Sequence, residues 1–131
     1  MRIIDSVGWI AYFKRAELAS HYRDYILDSD NVMTPSIIVY EVFKHILAAM
    51  DEEAAKLAIA TLVNTEIVPL SEALAAYAAR VGLAHKLPMA DAIIYATALS
   101  AGATLVTSDT HFQGLPLVEF IPRPARQGIC D

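Results

Sequence analysis

Pro88-Met89-Ala90-Asp91-Ala92-Ile93-Ile94-Tyr95-Ala96-Thr97-Ala98-Leu99-Ser100-Ala101-Gly102-Ala103-Thr104-Leu105-Val106-Thr107-Ser108-Asp109 holds a whole helix, a turn and a strand in one run. Pro88 suits a helix start, where its missing N–H is not needed. Alanine and unbranched residues sustain the helix, and Gly102 closes it at the C-cap, where a left-handed backbone favours glycine. Leu105-Val106-Thr107 then reads as a short buried strand, and Asp109 follows it. Helix, glycine, apolar strand and acid in that order are the second half of a βαβ unit.

The same alternation extends in both directions. Arg2–Asp5 reads as a strand start, Val7–Phe13 and Glu17–Leu27 as helices, and Asn31–Thr34 as a strand. Pro35 is expected in the first turn of a helix reaching about Met50, with Asp51–Asn64 continuing helically. Ile67–Leu70 reads as a strand, Ser71 with Glu72 opens a helix over Leu74–Ala84, and Leu117–Phe120 is the last strand. Long helices between short strands are what parallel pairing requires, since each crossover then covers a sheet face. The expectation is an α/β fold: a three-layer α/β/α sandwich around a short, mainly parallel central sheet, forming one domain over residues 1–131.

Composition bounds the class. The chain is 131 residues long, 56% hydrophobic and 19% charged, with a mean hydropathy of +0.41, which excludes disordered and collagen-like chains. Cys130 is the single cysteine, so no internal disulfide and no cysteine-based zinc site exists. Asp5 interrupts any hydrophobic signal region, and the apolar stretch Ala92–Val106 is broken by Thr97, Ser100, Gly102 and Thr104. It falls short of the roughly 18–20 apolar residues of a membrane span. No membrane association is expected, and the expected location is the cytoplasm. The formal charge of −5 argues against non-specific duplex binding, which rests on Lys and Arg. Two divalent cations among four of the acids would bring that charge to about −1, so a metal-dependent nuclease stays open.

Four acids stand out by position. Asp5 and Asp109 follow strands, so parallel pairing puts both at the C-terminal sheet edge, where open α/β sheets bind ligands. Asp91 lies in the first turn of its helix, and Glu41 lies among Ile37, Ile38, Val39, Tyr40, Val42 and Phe43. Each has an ordinary explanation: Asp5 and Asp109 as caps or Asx turns, Asp91 as a partner of the helix dipole, and Glu41 as a solvent-facing partner of Lys44 or His45. Taken together they repel one another unless a cation intervenes. An all-oxygen set suits Mg²⁺ or Mn²⁺, and the matching chemistry is phosphodiester hydrolysis.

Four blocks carry a resemblance: Ile3-Ile4-Asp5-Ser6, Pro35-Ser36-Ile37-Ile38-Val39-Tyr40-Glu41-Val42, Met89-Ala90-Asp91-Ala92-Ile93-Ile94, and Leu105-Val106-Thr107-Ser108-Asp109-Thr110-His111-Phe112. In this order and spacing they resemble the PIN domain, and more narrowly the VapC-type toxins of prokaryotic toxin–antitoxin pairs. The resemblance implies a PIN-like fold and a Mg²⁺- or Mn²⁺-dependent endoribonuclease whose acidic quartet maps onto Asp5, Glu41, Asp91 and Asp109. Asp5 and Asp91 would be the firmest ligands, completed by Glu41 and Asp109. Ser6 matches a small hydroxyl residue after the first acid, and Thr107 a hydroxyl that helps fix the last. It also implies an RNA substrate, a homodimer and a small antitoxin, whose Arg or Lys would neutralise the quartet. The alternatives are a housekeeping RNA-processing nuclease without an antitoxin and a catalytically silent PIN-like binding module. An aspartyl-phosphate phosphatase would want a second aspartate at position 7, which is valine.

Other residues are weighed against surface or core roles. His21, His45, His85 and His111 are scattered and are assigned to neither metal nor catalysis. Lys14, Arg15, Lys44, Arg80 and Lys86 are weighed as RNA-phosphate contacts against the commoner role of a solvated surface charge, and Lys44 and Lys86 are preferred because they lie close in sequence to Glu41 and Asp91. Trp9, Tyr12 and Phe13 share a helix face and read as core or dimer interface. Arg123 and Arg126 lie in a proline-bearing tail with no assigned role.

Overall fold

The computed structural model describes residues 1–124; Arg126 and Cys130 lie outside the described residues. β1 (Arg2–Ile4) runs parallel to β4 (Thr104–Thr107), with Ile3 opposite Leu105 and Ile4 opposite Val106. β4 runs parallel to β5 (Val118–Phe120). β2 (Met33–Pro35) runs parallel to β3 (Glu66–Val68). A parallel bridge between Arg2 and Val32 joins the two pieces, giving the spatial order β3-β2-β1-β4-β5. Successive strand side chains point to opposite faces. Ile3 and Ile4 are both fully buried, as are Leu105 and Val106, so both faces of the central strands are covered. That is the expected α/β/α layering.

Eight or more residues of helix separate most strands. α1 (Ser6–Phe13) and α2 (Ala19–Leu27) follow β1, α3 (Ser36–Ala49) and α4 (Glu52–Leu62) follow β2, and α5 (Glu72–His85) and α6 (Met89–Ala101) follow β3. α6 is buried continuously from Ala92 to Ala98. It ends at Gly102, which takes the left-handed φ of 63° expected of that cap. Trp9 is fully buried and its ring stacks on Phe13 with centroids 6.0 Å apart, which settles that residue as core. Among the described residues no helix is long and apolar enough to cross a membrane.

Local differences from the sequence expectation have simple causes. Ser29–Asn31 forms a 3₁₀ turn, so the strand starts at Met33 rather than Asn31 and extends to Pro35. Pro35 therefore stands just before α3 instead of in its first turn, at a φ of −56°. The helix expected to continue through Asp51 is broken there. Met50 leaves helical geometry, and the Asp51 carboxylate accepts from the Ala54 N–H at 2.8 Å, starting α4 afresh. An N-cap aspartate followed by Glu52 and Glu53 is a helix start.

Candidate metal centre

The parallel pairing of β1 with β4 builds the site. Asp5 N–H donates to the Val106 carbonyl at 3.0 Å, which sets Asp5 beside Thr107 at the C-terminal sheet edge. The Thr107 hydroxyl donates to Asp5 Oδ2 at 2.7 Å and accepts from the Asp109 N–H at 3.0 Å. One side chain thus ties the first acid to the backbone of the last. Asp5 Oδ1 accepts from the Ser6 N–H at 2.8 Å, so Asp5 also caps α1. Asp109 opens the 3₁₀ turn Thr110–Phe112, its carboxylate accepting from the His111 N–H at 2.9 Å. Asp91 comes from the first turn of α6, and Glu41 from the second turn of α3.

Electrostatics bind these positions together. Asp5 is only 3% exposed, and burial pushes its carboxyl up to about 7. The bonds from Thr107 and Ser6 oppose that rise, and the charges of Asp91 and Glu41 add to it. Burial likewise raises Glu41; the nearby Ser6 side chain pulls it down, while Asp91 and Asp109 push it up. Asp91 is raised by burial and by Asp109, against a lowering bond from His111. Asp5 thus feels the charges of Asp91 and Glu41, and Glu41 feels those of Asp91 and Asp109. Among the described residues Glu41 makes no ion pair with Lys44 or His45, and its buried Oε1 has no hydrogen-bond partner.

His111 belongs to the cluster and the sequence reading missed it. Its Nδ1 lies 2.8 Å from Asp91 Oδ2 and 3.3 Å from Asp109 Oδ1. The bond to Asp91, then the charges of Asp109 and Asp91, raise its pKa. The available signal was the spacing Asp109-Thr110-His111, which a 3₁₀ turn folds back on itself. Lys44 is exposed and directs its Nζ at Tyr40, 3.3 Å from the hydroxyl and 5.5 Å above the ring. Lys86 caps α5 in a left-handed conformation with φ 55°. Among the described residues neither lysine pairs with an acid of the cluster.

A divalent cation fits this donor set. Ligand atoms of Asp91, Asp109 and His111 lie within 4.8 Å of one another. Burial first, and neighbouring carboxylate charges second, raise Asp5, Glu41 and Asp91, and a cation among them would favour their ionised forms. The oxygens suit Mg²⁺ or Mn²⁺, and the imidazole nitrogen is a donor that Mn²⁺ accepts more readily than Mg²⁺.

Comparison with known proteins agrees with the fold. No curated protein matches the chain. A toxin–antitoxin complex from Klebsiella pneumoniae superposes with a TM-score of 0.77 at 22% identity, covering 91% of this chain and 96% of that one. VapBC2 from Rickettsia felis, bound to a DNA fragment from its promoter, gives 0.70 at 16% identity, covering 92% and 97%. VapC20 of Mycobacterium tuberculosis, a toxin that cleaves the sarcin–ricin loop, gives 0.68 at 17% identity, covering 79% and 85%. The family model for the PIN domain matches residues 2–116, and the chain belongs to the PIN domain family.

Proposed function

We propose that this chain is a Mg²⁺- or Mn²⁺-dependent endoribonuclease and the toxin of a type II toxin–antitoxin pair. The observation that carries the reading is the Glu41 oxygen, buried and unpartnered among the described residues, in the field of Asp91 and Asp109. A binding module has no use for that arrangement, whereas a cation site does. The resemblance to toxins of known structure, one of them RNA-cleaving, supports the substrate class.

Asp5 and Asp91 are the principal ligands, with Glu41 and Asp109 completing the set and His111 adjoining it. A divalent cation held there supplies an acidified water and charge neutralisation for phosphodiester hydrolysis. Thr107 aims the Asp5 carboxylate by donating to Oδ2, and the Ser6 N–H does the same at Oδ1; both favour the ionised form and offset part of the rise that burial causes. The His111 imidazole orients Asp91 through their 2.8 Å contact. A small antitoxin bearing Arg or Lys would silence the site by pairing with its carboxylates, and the active species is a homodimer.

The test mixes purified, partner-free protein with structured RNAs in Mg²⁺, Mn²⁺ or chelator, beside Asp5→Asn. Cleavage should require both the metal and Asp5. Full activity of Asp5→Asn, or cleavage that survives chelation, would overturn the assignment.

A further inference from the structure

A recess of about 540 Å³ runs along α1 and reaches Ser6, next in the chain to Asp5. Its floor is apolar, formed by Val7, Ile10 and Leu18, and Ser6 stands where it meets the acidic cluster. Ser6 is shared between the two: its N–H holds Asp5, and its side chain adjoins Glu41. α3 is shared as well, since His45 lines the recess one turn beyond Glu41.

The rim is basic. Lys14, at the C-cap of α1, crosses toward α3 and donates to His45 Nε2 at 3.3 Å. The eight residues of α1 span roughly 12 Å, so Lys14 stands about that far from Asp5 along the helix. Arg123 arrives from the other side. The Ile121 N–H donates to the Thr107 carbonyl at 2.8 Å, so the chain leaves β5 at the same sheet edge as Asp5 and Asp109. Arg2 is tied to Asp28 and Lys56 to Glu53, but among the described residues neither Lys14 nor Arg123 is in an ion pair. Among the described residues Glu17 is the single acid on the lining.

We propose that this recess seats the nucleotide next to the scissile bond of a single-stranded RNA, with Lys14 and Arg123 on its phosphates and the apolar floor under its base. The inference rests on the nuclease reading. An acidic cluster offers nothing attractive to flanking phosphates, and on a protein of net charge −5 they need a local basic strip. Lys14 and Arg123 supply one that is continuous with the site. An unpaired base fits an apolar floor, whereas a duplex keeps its bases stacked and out of reach.

The experiment uses the full chain carrying Asp5→Asn, so that RNA is held uncut. Anisotropy of a short fluorescent single-stranded RNA of mixed sequence is read across a salt series. Lys14→Ala and Arg123→Ala should each weaken binding about fivefold and flatten the log–log salt slope by about 0.7. Lys14→Arg and Arg123→Lys should restore both, which separates charge from folding. Lys56→Ala, on α4 and paired with Glu53, should change neither. Parental affinity and slope in both alanine variants would give the recess to a peptide partner, overturning the proposal while the nuclease reading stands. No RNA binding by the Asp5→Asn parent would overturn both.

Discussion

Thr107 does more than its position in the sequence implies. The expectation was that it steadies the last acid, and it does so only through the Asp109 backbone. Its hydroxyl proton goes to Asp5, because the β1–β4 register sets Thr107 next to that carboxylate. Thr107→Val should therefore lower metal affinity and cleavage about 10–100-fold, while Thr107→Ser keeps most of both; metal titration and initial rates check this. Asp5 itself makes a pH-dependent contribution. Its carboxyl rises from an ordinary 3.8 to about 7 in the fold. The protonated form is thus favoured by folding, and that stability is full below about pH 4 and is lost as pH climbs through about 7. In chelator, the wild-type melting temperature should fall across that window, by the equivalent of on the order of 4 kcal/mol. Asp5→Asn should flatten that fall, and an unchanged pH profile in the variant would contradict the burial argument. Asp5, Asp109 and Asp91 stood out because strand ends and a helix first turn announce themselves in local sequence, and Glu41 because it is the one acid in an apolar helix. His111 was not, since its partner Asp91 lies twenty residues away and the contact depends on a turn formed after Asp109.

Gly8 shows how one helix is fitted to the next. A Cβ there would lie 2.4 Å from Tyr22 Cδ1. Tyr22 cannot yield easily: it is fully buried and its hydroxyl is hydrogen-bonded to Ser108 Oγ at 2.6 Å. Gly8→Ala should destabilise the fold by about 1–3 kcal/mol in spite of alanine's higher helix propensity, as denaturant unfolding would register. The Tyr22–Ser108 bond also links α2 to the loop carrying Asp109, so the same substitution should reduce cleavage. Helix existence was legible throughout from caps and apolar periodicity, as at Pro88, Gly102 and Ser71. The break between α3 and α4 was less so. The Met50–Asp51 segment carries neither proline nor glycine, and only the three acids from Asp51 to Glu53 mark a new N-terminus.

The molecule sets Asp5 and Asp109 at one sheet edge with Glu41 and Asp91 in helices whose charges reach them, and among the described residues it leaves a buried Glu41 oxygen without a partner. Parallel topology explains the shared edge, because it sends every strand's C-terminal end to the same side. Composition alone pointed away from nucleic acid, with a net charge of −5, and only the clustering of acids reversed that reading. Calorimetric titration of chelator-stripped protein with Mn²⁺ at pH 8, above the raised Asp5 value of about 7, reads the cluster without any assumption about RNA. Wild-type protein should bind the ion, and Asp5→Asn and Asp91→Asn should each weaken binding at least about tenfold. Equal binding by the wild type and both variants, or none by the wild type, would contradict the assignment of these acids to a metal centre.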